Sequence, residues 1–374
     1  MIELLNLEEL DVRLRKVDRH IVALLAQRMQ LALQVEEVKR HRREPIYRAE
    51  VEARRLEEAR EWAQERGLNP NFAQAILYLS INESCKVQIA ERQRHAGEAT
   101  EEDGSPNWHK KLKENLLLLT EKVARVYDDK YATAFFATRS YLEFENQILA
   151  QEIESLSSRG LALDVGCATG RKSLELSGSF EQVVGYDISP AMIEQAKAKL
   201  GASGVENLSF ECLDVEQGIP QSDGSASLVI MNMGTASDIP DIEGVLAEAQ
   251  RVLMAGGKIF LSFYNADALM YRWEFIPWPV SLAAEINLKR HCLDVHFEGQ
   301  VFSVYARPYT LDEIKKLIPH GIELTRTPTY PTISSLLPNE LFDEVTIQEA
   351  VTEIDRQLAD TTAGAYALVV GRRL

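Results

Sequence analysis

The sequence is poor in cysteine. Its four, Cys85, Cys167, Cys212 and Cys292, are widely spaced and form no CxxC pair. That scarcity argues against a disulfide framework and a cysteine-based zinc site, implies no metal, and suits a reducing, cytoplasmic setting. No apolar run approaches the length a membrane helix needs, and the opening MIELLNLEELD is acidic where a secretory leader is basic. Positive charge is short as well: 41 Lys and Arg against 57 Asp and Glu give a net charge of −16. A field of that sign repels nucleic acid and anionic membrane surfaces, so an anionic ligand needs a local basic pocket. Glycine is absent before Gly67, and Pro45 is the sole proline in that stretch. A turn-rich fold is excluded there.

What is present divides the chain in two. Leu, Ala, Glu, Gln and Arg dominate the first third and are good helix formers. Asn6 with Glu9 makes a helix cap, and Leu10, Leu14, Val17, Ile21, Leu24, Leu31, Val35 and Val38 recur at helical spacing. This predicts one helix of roughly 50 Å. Pro45 is expected to open a second helix that Gly67 closes, and Asn69-Pro70 to start a third through Arg92. After a polar stretch and one or two further helices (Trp108 to Ser157), short apolar runs alternate with helical patterns: LALDV, VVGYDI, LSFECLD, ASLVIMN, KIFLSFY and ALVVG. Such alternation specifies a mainly parallel sheet. The expected organisation is a three-helix all-α domain over residues 1–95, a linker over 96–107, and an α/β Rossmann-like domain over 108–374.

The first helix carries an anomaly. Its apolar seam has a slot at position 28, and Arg28 fills it. Lys39, eleven residues on, points the same way at 100° per residue. On the third helix Leu77, Ile81, Ser84 and Gln88 share a face that turns from apolar to hydrogen-bonding. Together these would line a pocket for a small polyanion. A coiled-coil seam with Arg28 paired to Glu52 or Glu83 is the structural alternative.

Residues from about Asn6 to Arg92 resemble the all-helical AroQ-class chorismate mutases, through LRKVDRHIVALLAQRMQLALQVEEVK and NESCKVQIAERQ. The resemblance implies an intertwined homodimer and rearrangement of chorismate to prephenate. It implies that Arg28 clamps a carboxylate, Lys39 and Gln88 donate to the ether oxygen, Glu52 holds the substrate hydroxyl and Ser84 sits beside a carboxylate. Two positions depart from the pattern: Asp11 and Val51 stand where the family has arginines. Arg15, Arg48, Arg54 and Arg55 lie one turn away and are candidate replacements. The expectation is a weak or altered mutase site.

In the second domain Asp164, Gly166, Cys167, Ala168 and Gly170 follow an apolar strand and precede a helical run, a turn through which backbone can approach a ligand. Seventeen residues past Gly170 the next strand ends in Asp187, followed by Ile188; Asp187 suits a ribose diol. Asp214 and Val215 end the third strand and suit an adenine, while Asn232 ends the fourth. A nicotinamide dinucleotide site wants G-x-G-x-x-G, which is absent here. The ordered series is similar to the class I S-adenosylmethionine-dependent methyltransferases, implying a mixed seven-stranded sheet with S-adenosylmethionine as cofactor and S-adenosylhomocysteine as product.

Acceptor-side candidates come from two segments: Tyr127, Tyr131 and Phe135 before the first strand, and an aromatic insertion after the fifth holding Tyr271, Arg272, Trp273, Phe275 and Trp278, expected to act as a lid. Arg272, His291, His296 and Arg307 are the candidates to hold a carboxylate or take a proton. The fusion suggests methyl transfer to a small carboxylic acid near chorismate or prephenate in secondary metabolism. Two alternatives stand beside it. One is carboxyl transfer from prephenate onto the cofactor, with Arg171 or Arg307 near the sulfonium. The other makes the first domain a non-catalytic dimerisation or sensing module.

Overall fold

The computed structural model describes residues 7–42, 44, 46, 48–95, 106–132, 135–272, 283–287, 290–297, 300–337 and 339–374. The chain forms two compact units, Met1–Glu98 and Ala99–Leu374.

The first unit is three helices: α1 (Leu7–Arg42), α2 (Ala49–Glu65) and α3 (Pro70–His95), with α1 and α2 each packed on α3. The Asn69 carboxamide oxygen accepts the N–H of Asn71 at 2.9 Å and caps α3. Gly67, at φ 70°, lets the chain leave α2. Asn6 and Pro45 lie outside the described residues, and α2 begins at Ala49, later than Pro45 suggests.

The seam of α1 is not the core of this chain. Leu14, Val17, Ile21, Leu24, Leu31, Val35 and Val38 are exposed, while Ala32, Glu36 and Lys39 are the buried residues of the helix. The face turned to α3 is thus the polar one, an inversion of ordinary amphipathic burial.

The second unit opens with α4 (Pro106–Val123), α5 (Tyr127–Ala132) and α6 (Phe136–Glu154), three helices rather than one or two. Pro106 and Asn107 belong to α4 and not to the linker; residues 96–105 are outside the description. Then follow β1 (Leu161–Val165), α7 (Arg171–Ser177), β2 (Gln182–Asp187), α8 (Pro190–Ser203), β3 (Leu208–Cys212), β4 (Ala226–Met231), α9 (Ile242–Val252) and β5 (Leu253–Tyr264). Beyond a short α10 (Leu269–Arg272) lie β6 (Ala283–Asn287), β7 (Cys292–Phe297) and β8 (Gln300–Tyr305), then α11 (Leu311–Leu317), β9 (Ile322–Arg326), β10 (Thr329–Tyr330), α12 (Val345–Gln357) and β11 (Tyr366–Arg373).

The main sheet runs β3-β2-β1-β4-β5-β11, with β9 and β10 both along the outer edge of β11, which makes seven lanes. The first five strands are parallel and β11 is antiparallel. Strand order reverses between β1 and β4, and such a switch point opens a crevice at the carboxyl ends of the strands.

The second half of the insertion after β5 is a separate antiparallel sheet, β6-β7-β8, which the sequence reading did not anticipate. Val295, Phe302 and Val304 from its strands pack against Leu119 and Val123 of α4. Trp273, Phe275 and Trp278, the core of the expected lid, lie outside the described residues.

Candidate functional site

The crevice is built on strands with little freedom. All five residues of β1 are buried, and its Asp164 accepts the Ser173 hydroxyl at 2.5 Å. Burial pushes the Asp164 carboxyl up to about 6 against that bond. The chain then turns through Gly166 (φ 74°), Ala168 (φ 47°) and Gly170 (φ 78°), and Gly170 caps α7. A Cβ at Gly166 would lie 2.5 Å from Thr235 Cγ2, and one at Gly170 would strike the Phe210 ring. Glycine is therefore required by space as well as by conformation.

Two backbone donors, Gly166 and Cys167, bond the Tyr186 carbonyl at 2.8 and 2.9 Å and tie this turn to β2. Cys167 is buried and its thiol pushed well up by burial, so it packs and does not react. At the end of β2, Asp187 accepts the Ala168 N–H at 2.9 Å and the Ser189 N–H at 2.8 Å, and each oxygen keeps a lone pair. Ile188 follows β2 directly, whereas β3 ends at Cys212, so Asp214 and Val215 lie in the turn beyond it rather than ending the strand; both Ile188 and Val215 are half-buried. Asp214 accepts the Lys113 ammonium at 2.9 Å and caps the following turn through Glu216 N–H at 3.2 Å. Lys113 comes from α4, an element the sequence reading did not connect to this edge.

Asn232 follows β4, and its Oδ1 is buried with no hydrogen-bond partner among the described residues. Beside it sits a residue missed in the sequence, Glu145 of α6. It is fully buried; Oε1 accepts the Met233 N–H at 3.0 Å and the Tyr141 hydroxyl at 3.3 Å, and Oε2 has no partner among the described residues. Burial pushes it up to about 7. Tyr141, Glu145 and Ile148 share one face of α6, which the fold buries.

These observations test the fit of a sulfonium nucleoside. Two buried acceptor oxygens flanking Met233 lack donors and call for a cationic donor such as an α-ammonium. The glycine turn leaves no side chain between backbone and ligand, and Asp187 and Asp214 offer acceptors to a diol and an amine. The residues fit S-adenosylmethionine.

The acceptor-side candidates scatter. Tyr127 of α5 lies close enough to Tyr264 to raise the latter's pKa through space. The side chains of Tyr131 and His296 are outside the description. Tyr271 packs with Met270 and Leu336. Arg272 donates to Thr362 Oγ1 at 3.2 Å and lies 3.9 Å from Asp267. Arg307 pairs with Glu313 at 3.1 Å and covers the Tyr309 ring, while its N–H donates to the Ser237 carbonyl at 2.9 Å. His291 is held below its usual range, first by burial and then by Arg307.

In the helical unit Arg28 donates to the Ser80 carbonyl and the Ser84 hydroxyl, and Lys39 to the Ile46 carbonyl. Burial lowers both cations, reinforced at Arg28 by Arg55. Glu52, Ser84 and Gln88 are buried; Gln88 Nε2 donates to the Ser84 carbonyl at 3.1 Å and Oε1 has no partner among the described residues. Of the candidate replacements, Arg15 pairs with Asp11 at 2.6 Å in solvent and Arg54 faces Glu58 at 3.9 Å. Arg55 acts on Arg28 and also holds Glu52 at 3.2 Å. Arg48 acts on Lys39, and its Nε is buried with no partner among the described residues. Arg28, Lys39, Arg48 and Arg55 thus gather positive charge beside the buried Glu52.

Sheet order, glycine turn and acidic strand ends define a class I S-adenosylmethionine-dependent methyltransferase domain. Residues 162–257 match the family model described as a methyltransferase domain, and residues 10–89 match chorismate mutase type II. The chain therefore joins a chorismate mutase type II domain to a methyltransferase domain. A ubiquinone biosynthesis O-methyltransferase of Coxiella burnetii is 28% identical over 114 residues, 30% of this chain and 47% of the relative. An aklanonic acid methyltransferase of Streptomyces sp. is 33% identical over 100 residues, 26% of this chain and 44% of that one. A carboxy-S-adenosyl-L-methionine synthase of Alteromonas mediterranea is 32% identical over 116 residues, 29% and 46%. The chain spans about half the length of these curated relatives. Among the described residues no helix is long and apolar enough to cross a membrane.

Proposed function

We propose a bifunctional enzyme that rearranges chorismate to prephenate in its helical unit and methylates a small chorismate-derived carboxylic acid, such as prephenate or a phenylpyruvate-like keto acid, in its α/β unit. The observation that carries methyl transfer is the series Asp164, Asp187, Asp214 and Asn232, at or just beyond the carboxyl ends of β1 to β4 around the glycine turn. S-adenosylmethionine supplies an electrophilic methyl group on sulfur. The chain's part is to bind the nucleoside at Asp187 and Asp214, satisfy Glu145 and Asn232, and hold the acceptor in line, so that catalysis is mainly proximity.

In the helical unit the rearrangement is unimolecular and needs no nucleophile. Arg28 and Lys39 hold carboxylate and ether oxygen, Gln88 donates to the ether oxygen, Glu52 takes the hydroxyl and Ser84 borders a carboxylate. Arg48 and Arg55 take over charge that Val51 lacks. The exposed apolar seam of α1 supports a homodimer in which a second copy covers it. Four cysteines that form no disulfide among the described residues suit the cytoplasm, and the fusion suits secondary metabolism.

Similarity to the carboxy-S-adenosyl-L-methionine synthase favours a second reading, carboxyl transfer onto the cofactor, in which Arg171 at the start of α7 or Arg307 would hold the departing carboxylate. A sensing role for the helical unit predicts that chorismate binds without turnover. One experiment separates them: mass spectrometry of the full-length protein with S-adenosylmethionine and chorismate. Prephenate plus a product one methyl heavier supports the proposal, a carboxylated cofactor supports the second reading, and untouched chorismate without any adduct overturns both.

A further inference from the structure

The carboxyl ends of β4 and β5 hold an acid that the nucleoside set does not use. Asp238 closes the turn Thr235–Ser237 after β4, and Tyr264 is the last residue of β5; the Tyr264 hydroxyl donates to Asp238 Oδ2 at 3.3 Å. The pair is braced. Tyr264 N–H donates to Ser237 Oγ at 2.9 Å, and the tyrosine ring fills the space that a Cβ at Gly234 would need. Both side chains are only partly buried, so the pair is not sealed in the core. The ring of Tyr366 lies 5.7 Å from that of Tyr264, and Tyr127 acts on the same hydroxyl from α5.

Charge decides what this corner accepts. The influences resolved on Asp238 are burial, which raises it to about 8, and the Tyr264 hydroxyl, which opposes. No cation is among them. The titratable groups that act most on Tyr264 among the described residues are Asp238, Tyr366 and Tyr127, and none of these is a cation. Once Asp238 has ionised, a carboxylate placed here would meet a like charge, whereas a hydroxyl on a flat ring or conjugated carbon would meet an acceptor and tyrosine rings.

We propose that Asp238 takes the proton of the acceptor's hydroxyl during methyl transfer, with Tyr264 as a positioning residue, and that the acceptor class is phenols and enols. The proposal rests on the methyltransferase reading and narrows it. The O–H proton passes to the Asp238 carboxylate while the oxygen's lone pair forms a C–O bond to the methyl carbon. The C–S bond breaks with its pair left on sulfur, and the proton on Asp238 is released to solvent. Proton transfer is most effective when the base titrates near working pH, and burial raises this carboxyl towards that range.

The test uses full-length protein saturated with S-adenosylhomocysteine and three probes differing in one group: 4-methylphenol, 4-methylaniline and 4-methylbenzoate. By calorimetry the phenol binds at least about tenfold tighter than the benzoate, and its affinity rises between about pH 6 and 8.5 as Asp238 ionises. Asp238→Asn removes that preference and the pH dependence while S-adenosylhomocysteine affinity is unchanged. With labelled donor and 4-methylphenol, Asp238→Asn lowers kcat about 10²-fold, a larger change than its rise in KM. Tyr264→Phe shifts the pH profile upward with a smaller loss. A preference for the benzoate or aniline, no binding of any probe while S-adenosylhomocysteine binds, or a phenol preference that survives Asp238→Asn overturns the proposal. Failure of S-adenosylhomocysteine itself to bind overturns the methyltransferase reading instead. The wild-type pH dependence needs no variant, so misfolding of Asp238→Asn does not shelter the idea.

Discussion

Asp187 accepts the N–H of Ala168 at 2.9 Å, so the carboxylate ending β2 holds in place the non-glycine residue, at φ 47°, in the middle of the turn after β1. One side chain thus shapes the turn and offers its remaining lone pairs to a ligand. Asp187→Ala removes this bond and the one from Ser189. Charge-assisted bonds contribute about 1.5–3 kcal/mol each, so S-adenosylhomocysteine affinity falls at least ~10²-fold in calorimetry, with the far-ultraviolet dichroism unchanged. Wild-type affinity in the variant would remove Asp187 from the site.

Two glycines should respond with opposite sign. Gly170→Ala puts a methyl into the Phe210 ring at a left-handed residue and destabilises the α/β unit by at least ~2 kcal/mol in urea unfolding. Gly201→Ala lies in α8 with nothing within 4 Å and stabilises by about 0.5–1 kcal/mol. Equal effects at both positions would refute the steric account.

Three carboxyls, Glu145, Asp164 and Asp238, are raised by burial to about 7, 6 and 8. A raised carboxyl binds more protons folded than unfolded above its ordinary range, so stability is highest below that range and declines as pH rises through the folded value. The ligand-free α/β unit therefore melts at progressively lower temperature from about pH 4 to pH 8, with each titrating group contributing at most ~1.4 kcal/mol per pH unit. Asp238→Asn flattens the upper part of that decline. A melting temperature that climbs across the interval contradicts the burial assigned to these groups.

Arg28 is the charged centre of the helical pocket, and Arg28→Ala in the full-length protein should lower kcat/KM for chorismate at least ~10²-fold. Arg28→Lys should not rescue it, because an ammonium cannot donate to both Ser80 and the ligand in one plane. Affinity for S-adenosylhomocysteine stays at the wild-type value. Unaltered chorismate turnover in Arg28→Ala would place the chemistry elsewhere.

The seam of α1 makes its own prediction. Ile21→Glu puts a charge in the middle of the exposed apolar stripe and should halve the particle mass seen by light scattering, if a second copy covers that stripe. A wild-type protein that is already monomeric would dispose of the dimer.

Much of the fold was legible because backbone rules act locally. The glycine-free stretch before Gly67 could only be helical, and Asn69-Pro70 marked a helix start that Asn69 caps in the structure. Six strands of the main sheet, β1 to β5 and β11, announced themselves as short apolar runs, the first three carrying an acid at or near the end, whereas β9 and β10 gave no such signal. The β6-β7-β8 sheet did not, because aromatics drew the eye to a lid and the strands alternate weakly. Glu145 was overlooked for a related reason: α6 has charged residues all along it, and only packing shows which one is sealed.

The sequence by itself determined the two-domain division of texture, the helical and α/β classes, and the ordered acids at strand ends, since periodicity, glycine and strand-terminal residues are properties of neighbours along the chain. Tertiary structure alone decided that the apolar face of α1 points outward, that Lys113 reaches Asp214, and that Glu145, Asn232 and the Asp238–Tyr264 pair gather at the ends of β4 and β5. Those residues are brought together by packing across distant parts of the chain. Their burial and unmet hydrogen bonds exist only once that packing has excluded water.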